Sequence, residues 1–139
     1  MNPSPEGLAH LAVAVEELQA AAALYRALGF SLAEPEVIAA EKVRVQLALK
    51  DGLRIELLEA HPPGQGPIAK FLAKRGPGLH HLALLTQDLT AELARLAAAG
   101  IQPLKGYPAN GAAGTRVAFL DPKTTGGVLI ELVEKQARA

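Results

Sequence analysis

An α+β fold of two tandem βαβββ modules is what this sequence predicts, and three observations carry the prediction. First, residues 7–18 read GLAHLAVAVEEL and residues 78–89 read GLHHLALLTQDL, so Gly, Leu, His, Leu, Ala and a final Leu coincide without a gap. Second, RIELLE at 54–59 recurs as LIELVE at 129–134. The offset grows from 71 residues to 75, so the later half carries a few extra loop residues. Third, apolar spacing in each half changes from strand to helix and back to strand in the same order.

Each module opens on an apolar strand, Leu8 to Ala14 and Leu79 to Leu85. A helix follows. In the first module it is expected over Val15 to Leu28, with Leu18, Ala21, Ala22 and Tyr25 on one stripe and Gly29 as its stop. In the second, Thr86 is the expected N-cap, Leu89, Leu93 and Leu96 form the stripe, and Gly100 ends it. Three strands complete each module. In the first they are expected near Ser31–Val37, Val43–Leu49 and Leu53–Glu59, with Lys50-Asp51-Gly52 as a hairpin turn. In the second they are expected near Ile101–Lys105, Thr115–Leu120 and Gly127–Val133. The modules cover about 7–60 and 78–135 of a single domain, 7–135, joined by a Pro/Gly-rich linker, 61–77. Within the linker, Ile68 to Lys74 reads as a short basic helical turn. Pro3 and Pro5 suggest a loose N-terminal arm, and Lys135 to Ala139 a frayed tail. Neither module is long enough to close a core comfortably alone. Pairing them buries both inner faces and forms a curved sheet around a cleft.

Composition narrows the function. The chain of 139 residues is 50% hydrophobic, enough for a core at this size. Lys plus Arg equal Asp plus Glu at 14 each, so the basic excess of a nucleic-acid binder is missing. With no Cys, a disulfide framework and a thiolate metal site are excluded. The start, MNPSPEG, has neither the basic residues nor the apolar run of a signal peptide, and no apolar run is long enough for a bilayer. A cytoplasmic protein without membrane partners is the simplest expectation.

The repeat places like chemistry at like positions. His10 and His81 fall on the first strand of each module, and Glu56 and Glu131 on the last. If a pseudo-twofold axis relates the modules, the four side chains converge and suit a divalent first-row ion such as Co, Mn, Ni, Fe or Zn, making the cleft metal-binding. Burial argues the same way. Glu131 lies among Leu129, Ile130, Leu132 and Val133, and Glu56 among Ile55, Leu57 and Leu58. A carboxylate in such a strand is costly unless paired or bound to a metal. A lone strand His is more often a hydrogen-bonded core residue; the matched set raises the ligand reading.

The remaining polar residues have plainer readings. His80 is expected to be structural or to support a ligand, and His61 to be solvated. Glu59 and Glu134 also repeat and are expected to be solvated strand ends. YPANGAAGT at 107–115 and DPKTTGG at 121–127 match neither a Walker A loop nor a dinucleotide fingerprint, and read as turns or an active-site loop. Lys70, Lys74 and Arg75 form either a solvated basic face or a contact for an anionic substrate tail.

With these residues in view, the chain resembles the vicinal-oxygen-chelate superfamily, which includes glyoxalase I, extradiol dioxygenases and antibiotic-resistance proteins. PIAKFLAKRGPGLHHLA at 67–83, GAAGTRVAFLDPK at 111–123 and GGVLIELVE at 126–134 are similar to the methylmalonyl-CoA epimerases in particular. The resemblance implies His10, His81 and Glu131 as metal ligands, completed by Glu56 at a position that is Gln or Glu in the family. It implies an acyl-CoA substrate and a homodimer. Co, Mn, Ni or Zn is the expected ion, Glu131 is the first candidate catalytic base and Glu56 the second, and the basic pair Lys70 and Lys74 beside the expected cleft is expected to help hold the CoA phosphates. The sequence departs from the family at Asp121, where His is common, and at Val45, where some members carry a catalytic Glu. Glu41 is the nearest carboxylate to that position. A glyoxalase I-like lyase is the nearest rival reading, an extradiol dioxygenase a weaker one for want of spare His residues, and a metal-free small-molecule binding protein the rival from another class.

Overall fold

The computed structural model describes residues 7–111 and 114–135. The expected N-terminal arm, and the expected tail beyond Lys135, lie outside the described residues. In chain order the elements are β1 (Gly7–Ala14), α1 (Leu18–Ala27), β2 (Ser31–Leu32), β3 (Glu36–Ile38), β4 (Val43–Lys50), β5 (Leu53–Ala60), α2 (Gly66–Arg75), β6 (Gly78–Thr86), α3 (Leu89–Ala98), β7 (Ala109–Asn110), β8 (Arg116–Phe119) and β9 (Ile130–Glu134). Contacts divide the described chain into two compact units, residues 10–80 and residues 81–135 with 7–9.

Within residues 10–80 the strand order is β2-β4-β5-β1, with β3 also on β4. β5 runs parallel to β1, and Glu56 pairs with Ala12. β4 and β5 form the expected hairpin: Asp51 and Gly52 have φ of 50° and 83°, as a tight hairpin turn of the right twist requires, and Lys50 faces Leu53. α1 covers one face, with Leu18, Ala21 and Tyr25 against Val13, Val15, Ile55 and Leu57. α2 packs with Ala12, Ala14, Val43, Val45, Leu58 and Ala60, which alternate with the α1-facing residues and so lie on the other face. The segment expected as a linker is thus part of the core. Ile68 is 3% exposed, a burial worth about 1.5–3 kcal/mol.

In the second unit the order is β6-β9-β8-β7. β9 runs parallel to β6, and Glu131 pairs with Ala83. α3 covers one face through Leu89 and Leu96, packed with Ala118, Leu120 and Leu132. Ala83, Val117 and Val133 occupy the other, with Tyr107 beside them. The repeat seen in the sequence is therefore a repeat of register: in each module the residue two beyond the histidine pairs with the glutamate.

Several element boundaries differ from expectation for identifiable reasons. α1 starts at Leu18 rather than Val15, because the Val15 N–H still donates to the Leu58 carbonyl at 2.9 Å and prolongs the strand. Thr86 is not the cap of α3. It ends β6 opposite Glu134, and Asp88 caps the helix by accepting the Ala91 N–H at 3.0 Å. The expected strand Ser31–Val37 is broken around Pro35, with the Gln46 amide donating to the Ala33 carbonyl at 2.9 Å. Residues 101–105 supply one isolated bridge, Pro103 to Leu120, since proline has no N–H to extend a ladder. Gly126 and Gly127, at φ 71° and 89°, keep the chain turning until β9 begins at Ile130.

Glu59 and Glu134 are not solvated strand ends. Glu59 Oε2 accepts the Leu18 N–H at 2.8 Å, and Glu134 Oε2 accepts the Leu89 N–H at 2.9 Å. Each carboxylate satisfies a donor at the positive end of its module's helix, an interaction of about 1 kcal/mol. Arg44 and Arg116 reach the same carboxylates at 3.9 and 3.6 Å. The last strand of each module is thereby tied to its helix three residues beyond the site glutamate.

Candidate metal centre

His10 lies on β1 and Glu56 on the neighbouring β5, on the sheet face away from α1. His10 is 6% exposed, and its Nδ1 stands 3.4 Å from Glu56 Oε2. On the other side of Glu56, β4 places Leu47. In the second unit His81 on β6 and Glu131 on β9 repeat the arrangement, facing away from α3. Both are 7% exposed, and His81 Nε2 lies 3.1 Å from Glu131 Oε1. The neighbour of Glu131 on β8 is Phe119. Its ring meets the His81 imidazole at 4.9 Å and 88°, and the Tyr107 ring meets Phe119 at 5.3 Å and 73°.

Within its own unit each couple sets an imidazole nitrogen beside a carboxylate oxygen, His10 with Glu56 and His81 with Glu131. Glu131 is held by His81. Imidazole nitrogens and carboxylate oxygens, without sulfur, fit a divalent first-row ion. Burial fits it too. The Glu131 side chain is 9% exposed and that of Glu56 17%, so Glu131 is the costlier of the two to leave without a positive partner.

The other candidates fall as follows. His80 is half-buried with its ring 4.9 Å from Phe71, consistent with a structural role. His61 is exposed, as expected. Glu41 lies in a 3-10 turn, Ala39–Glu41, ahead of β4, and Val45 is buried under α2. Asp121 Oδ1 accepts the Lys123 N–H at 3.0 Å, which caps a 3-10 turn. Lys70 and Lys74 are exposed on α2, while Arg75 lies over the Phe71 ring at 5.8 Å. A cavity of about 470 Å³ in residues 10–80 is lined in part by Glu16, Glu17, Glu59 and His61 and by none of the four proposed ligands. Its acidic wall does not suit a phosphate-bearing ligand.

Sequence reasoning missed Glu92. It is 0% exposed and bonded by Arg95 at 2.9 and 3.4 Å. That hydrogen bond raises the Arg95 guanidinium further above its ordinary value. The signal was present, since Glu92 follows Leu89 by three and precedes Leu96 by four, within the apolar stripe of α3.

Comparison with known proteins adds the following. Residues 9–119 match the glyoxalase/bleomycin resistance protein/dioxygenase superfamily. An ethylmalonyl-CoA/methylmalonyl-CoA epimerase of Cereibacter sphaeroides is 43% identical over 129 residues, 90% of this chain and 95% of that protein. The crystal structure of methylmalonyl-CoA epimerase from Mycobacterium tuberculosis superposes with a TM-score of 0.91 at 36% identity, covering 99% of this chain and 93% of the other. A Streptomyces coelicolor methylmalonyl-CoA epimerase solved in complex with 2-nitronate-propionyl-CoA superposes at 0.87 with 35% identity, covering 96% of this chain and 100% of the other.

Proposed function

The chain belongs to the glyoxalase/bleomycin resistance protein/dioxygenase superfamily, and we infer that within it this protein is an isomerase interconverting (2R)- and (2S)-methylmalonyl-CoA. The observation that carries the reading is the pair of His–Glu couples in matching register, with His10, His81 and Glu131 buried and Glu56 partly so, in a chain 43% identical to a named epimerase. The glyoxalase I-like alternative is not favoured, since the near relatives are epimerases. The metal-free alternative gives no reason for the buried Glu131 carboxylate.

The α-carbon of the substrate lies between a thioester carbonyl and a carboxylate, so loss of its proton gives an enolate. Epimerisation removes that proton from one face and returns it on the other, which calls for two bases. In this reading Glu131 takes the proton, oriented by His81 at 3.1 Å, and Glu56 serves the opposite face beside His10 at 3.4 Å. Glu41 is the weaker alternative for the second base. His10, Glu56, His81 and Glu131 would hold a divalent ion, Co, Mn, Ni or Zn, and a ligand glutamate would serve as a base only by loosening from it as substrate binds. Such an ion supplies Lewis-acid stabilisation of the negative charge that grows on the substrate oxygens. No redox cofactor is needed.

A cytoplasmic homodimer that binds neither nucleic acid nor membrane completes the reading. Zero net charge argues against nucleic acid. Among the described residues no helix is long and apolar enough to cross a membrane. The homodimer is carried over from the family resemblance.

Incubating either epimer in deuterated water with the protein and Co(II) tests the function, with deuterium expected at the α-carbon. A folded, Co(II)-loaded protein that leaves the α-proton in place would rule the reading out.

Lys70 and Lys74 are proposed to meet the phosphates of the CoA tail. One helical turn apart and exposed on α2, they form a paired positive patch. Their competing role is to complement the C-terminal end of the helix dipole, where Lys74 and Arg75 already lie. Replacing both with Ala is expected to raise KM for the CoA ester severalfold at low salt and to flatten its dependence on ionic strength. An unchanged KM at low salt leaves only the structural role.

A further inference from the structure

The two His–Glu couples share a register but differ in what stands beside the glutamate. Glu56 pairs on β4 with Leu47, and Glu131 pairs on β8 with Phe119. Rotation about the last side-chain bond of a histidine has broad, shallow minima, so a buried imidazole needs neighbours to set its plane. For His81 the geometry supplies one. The Phe119 ring stands almost perpendicular to the imidazole at 4.9 Å, the arrangement in which one ring's positive edge meets the other's negative face. Phe119 is itself 8% exposed and backed by the Tyr107 ring at 5.3 Å. The oriented imidazole turns its Nε2 to Glu131 Oε1 at 3.1 Å, a spacing that two neighbouring ligand atoms of one ion can adopt.

We propose that Phe119 is the positioning residue for His81: backed by Tyr107, its ring sets the imidazole plane so that Nε2 stands beside Glu131 as one of two neighbouring metal ligands. At the matching position the first module has the aliphatic Leu47. The inference rests on the reading of His81 as a metal ligand.

The test measures Co(II) affinity by calorimetric titration of chelator-treated protein, the melting temperature of the same metal-free samples, and kcat and KM after reloading. Phe119→Leu places in the second module the residue the first one has. It is expected to weaken Co(II) binding about tenfold, the lower end for losing a residue that orients a ligand, and to lower kcat with little change in KM. Phe119→Tyr keeps the ring and is expected to hold Co(II) affinity near the original. Val117→Ala controls for lost packing. Val117 lies on the same strand and face and is 2% exposed. It is expected to lower the melting temperature while leaving Co(II) affinity unchanged. Phe119→Leu binding Co(II) as tightly as the unaltered protein would overturn the inference, as would Val117→Ala losing as much affinity as Phe119→Leu. An unaltered protein that binds no Co(II) would overturn the ligand reading itself and this inference with it. That outcome is seen before any Phe119 variant is examined.

Discussion

Glu131→Gln protein, saturated with Co(II), is expected to lose at least about a hundredfold in kcat, the scale of a removed general base. The amide keeps the size of the side chain and its hydrogen bond to His81, so the register of β6 and β9 should persist. What it loses is the capacity to accept the α-proton. KM should change little, because the substrate's binding contacts remain. Glu56→Gln is the comparison. The family resemblance allows Gln there, so a small loss marks Glu56 as a ligand and a loss equal to that of Glu131→Gln marks it as the second base. Metal content must be measured in the same samples, because a lost ion mimics a lost base. A metal-replete Glu131→Gln enzyme with near-normal turnover would place the proton elsewhere, and Glu41 would be the next carboxylate to replace.

The order of the modules was legible in the sequence because it rests on a repeat and on periodicity, both of which are local. The same is true of the hairpin at Lys50-Asp51-Gly52, whose residues are chosen by backbone conformation. What was misread depended on partners distant in sequence. Glu59 and Glu134 looked like solvated strand ends, yet each meets a helix N–H more than 40 residues away in the chain. Thr86 has the side chain of a cap but is held in β6 by its pairing with Glu134, and its buried hydroxyl has no hydrogen-bond partner among the described residues. The stretch 61–77 read as a linker from its prolines and glycines, while Ile68, Phe71 and Leu72 pack on the sheet as core. At the site, residue types and their pairing were readable from the repeat. The aromatic neighbour of the second couple was not, because only strand register brings Phe119 beside Glu131.

Chelator treatment is expected to remove turnover almost completely, by more than about a thousandfold, since stabilising enolate charge is worth several kcal/mol. Adding back Co, Mn, Ni or Zn to the stripped protein should restore activity to different degrees, and the ranking would identify the working ion. One ion per chain is expected, because the two couples are taken to complete a single coordination set. His10→Ala and His81→Ala should each abolish tight binding, as each removes an imidazole and leaves a nearly buried carboxylate without its neighbour. These variants should stay inactive at metal concentrations that fully restore the stripped parent. Two ions per chain, with each His→Ala variant losing only one, would mean that the couples bind separately. Full turnover in protein shown by metal analysis to be free of divalent ions would remove the ion from the reaction. The two glutamates, and the histidines that orient them, would then have to perform the epimerisation unaided.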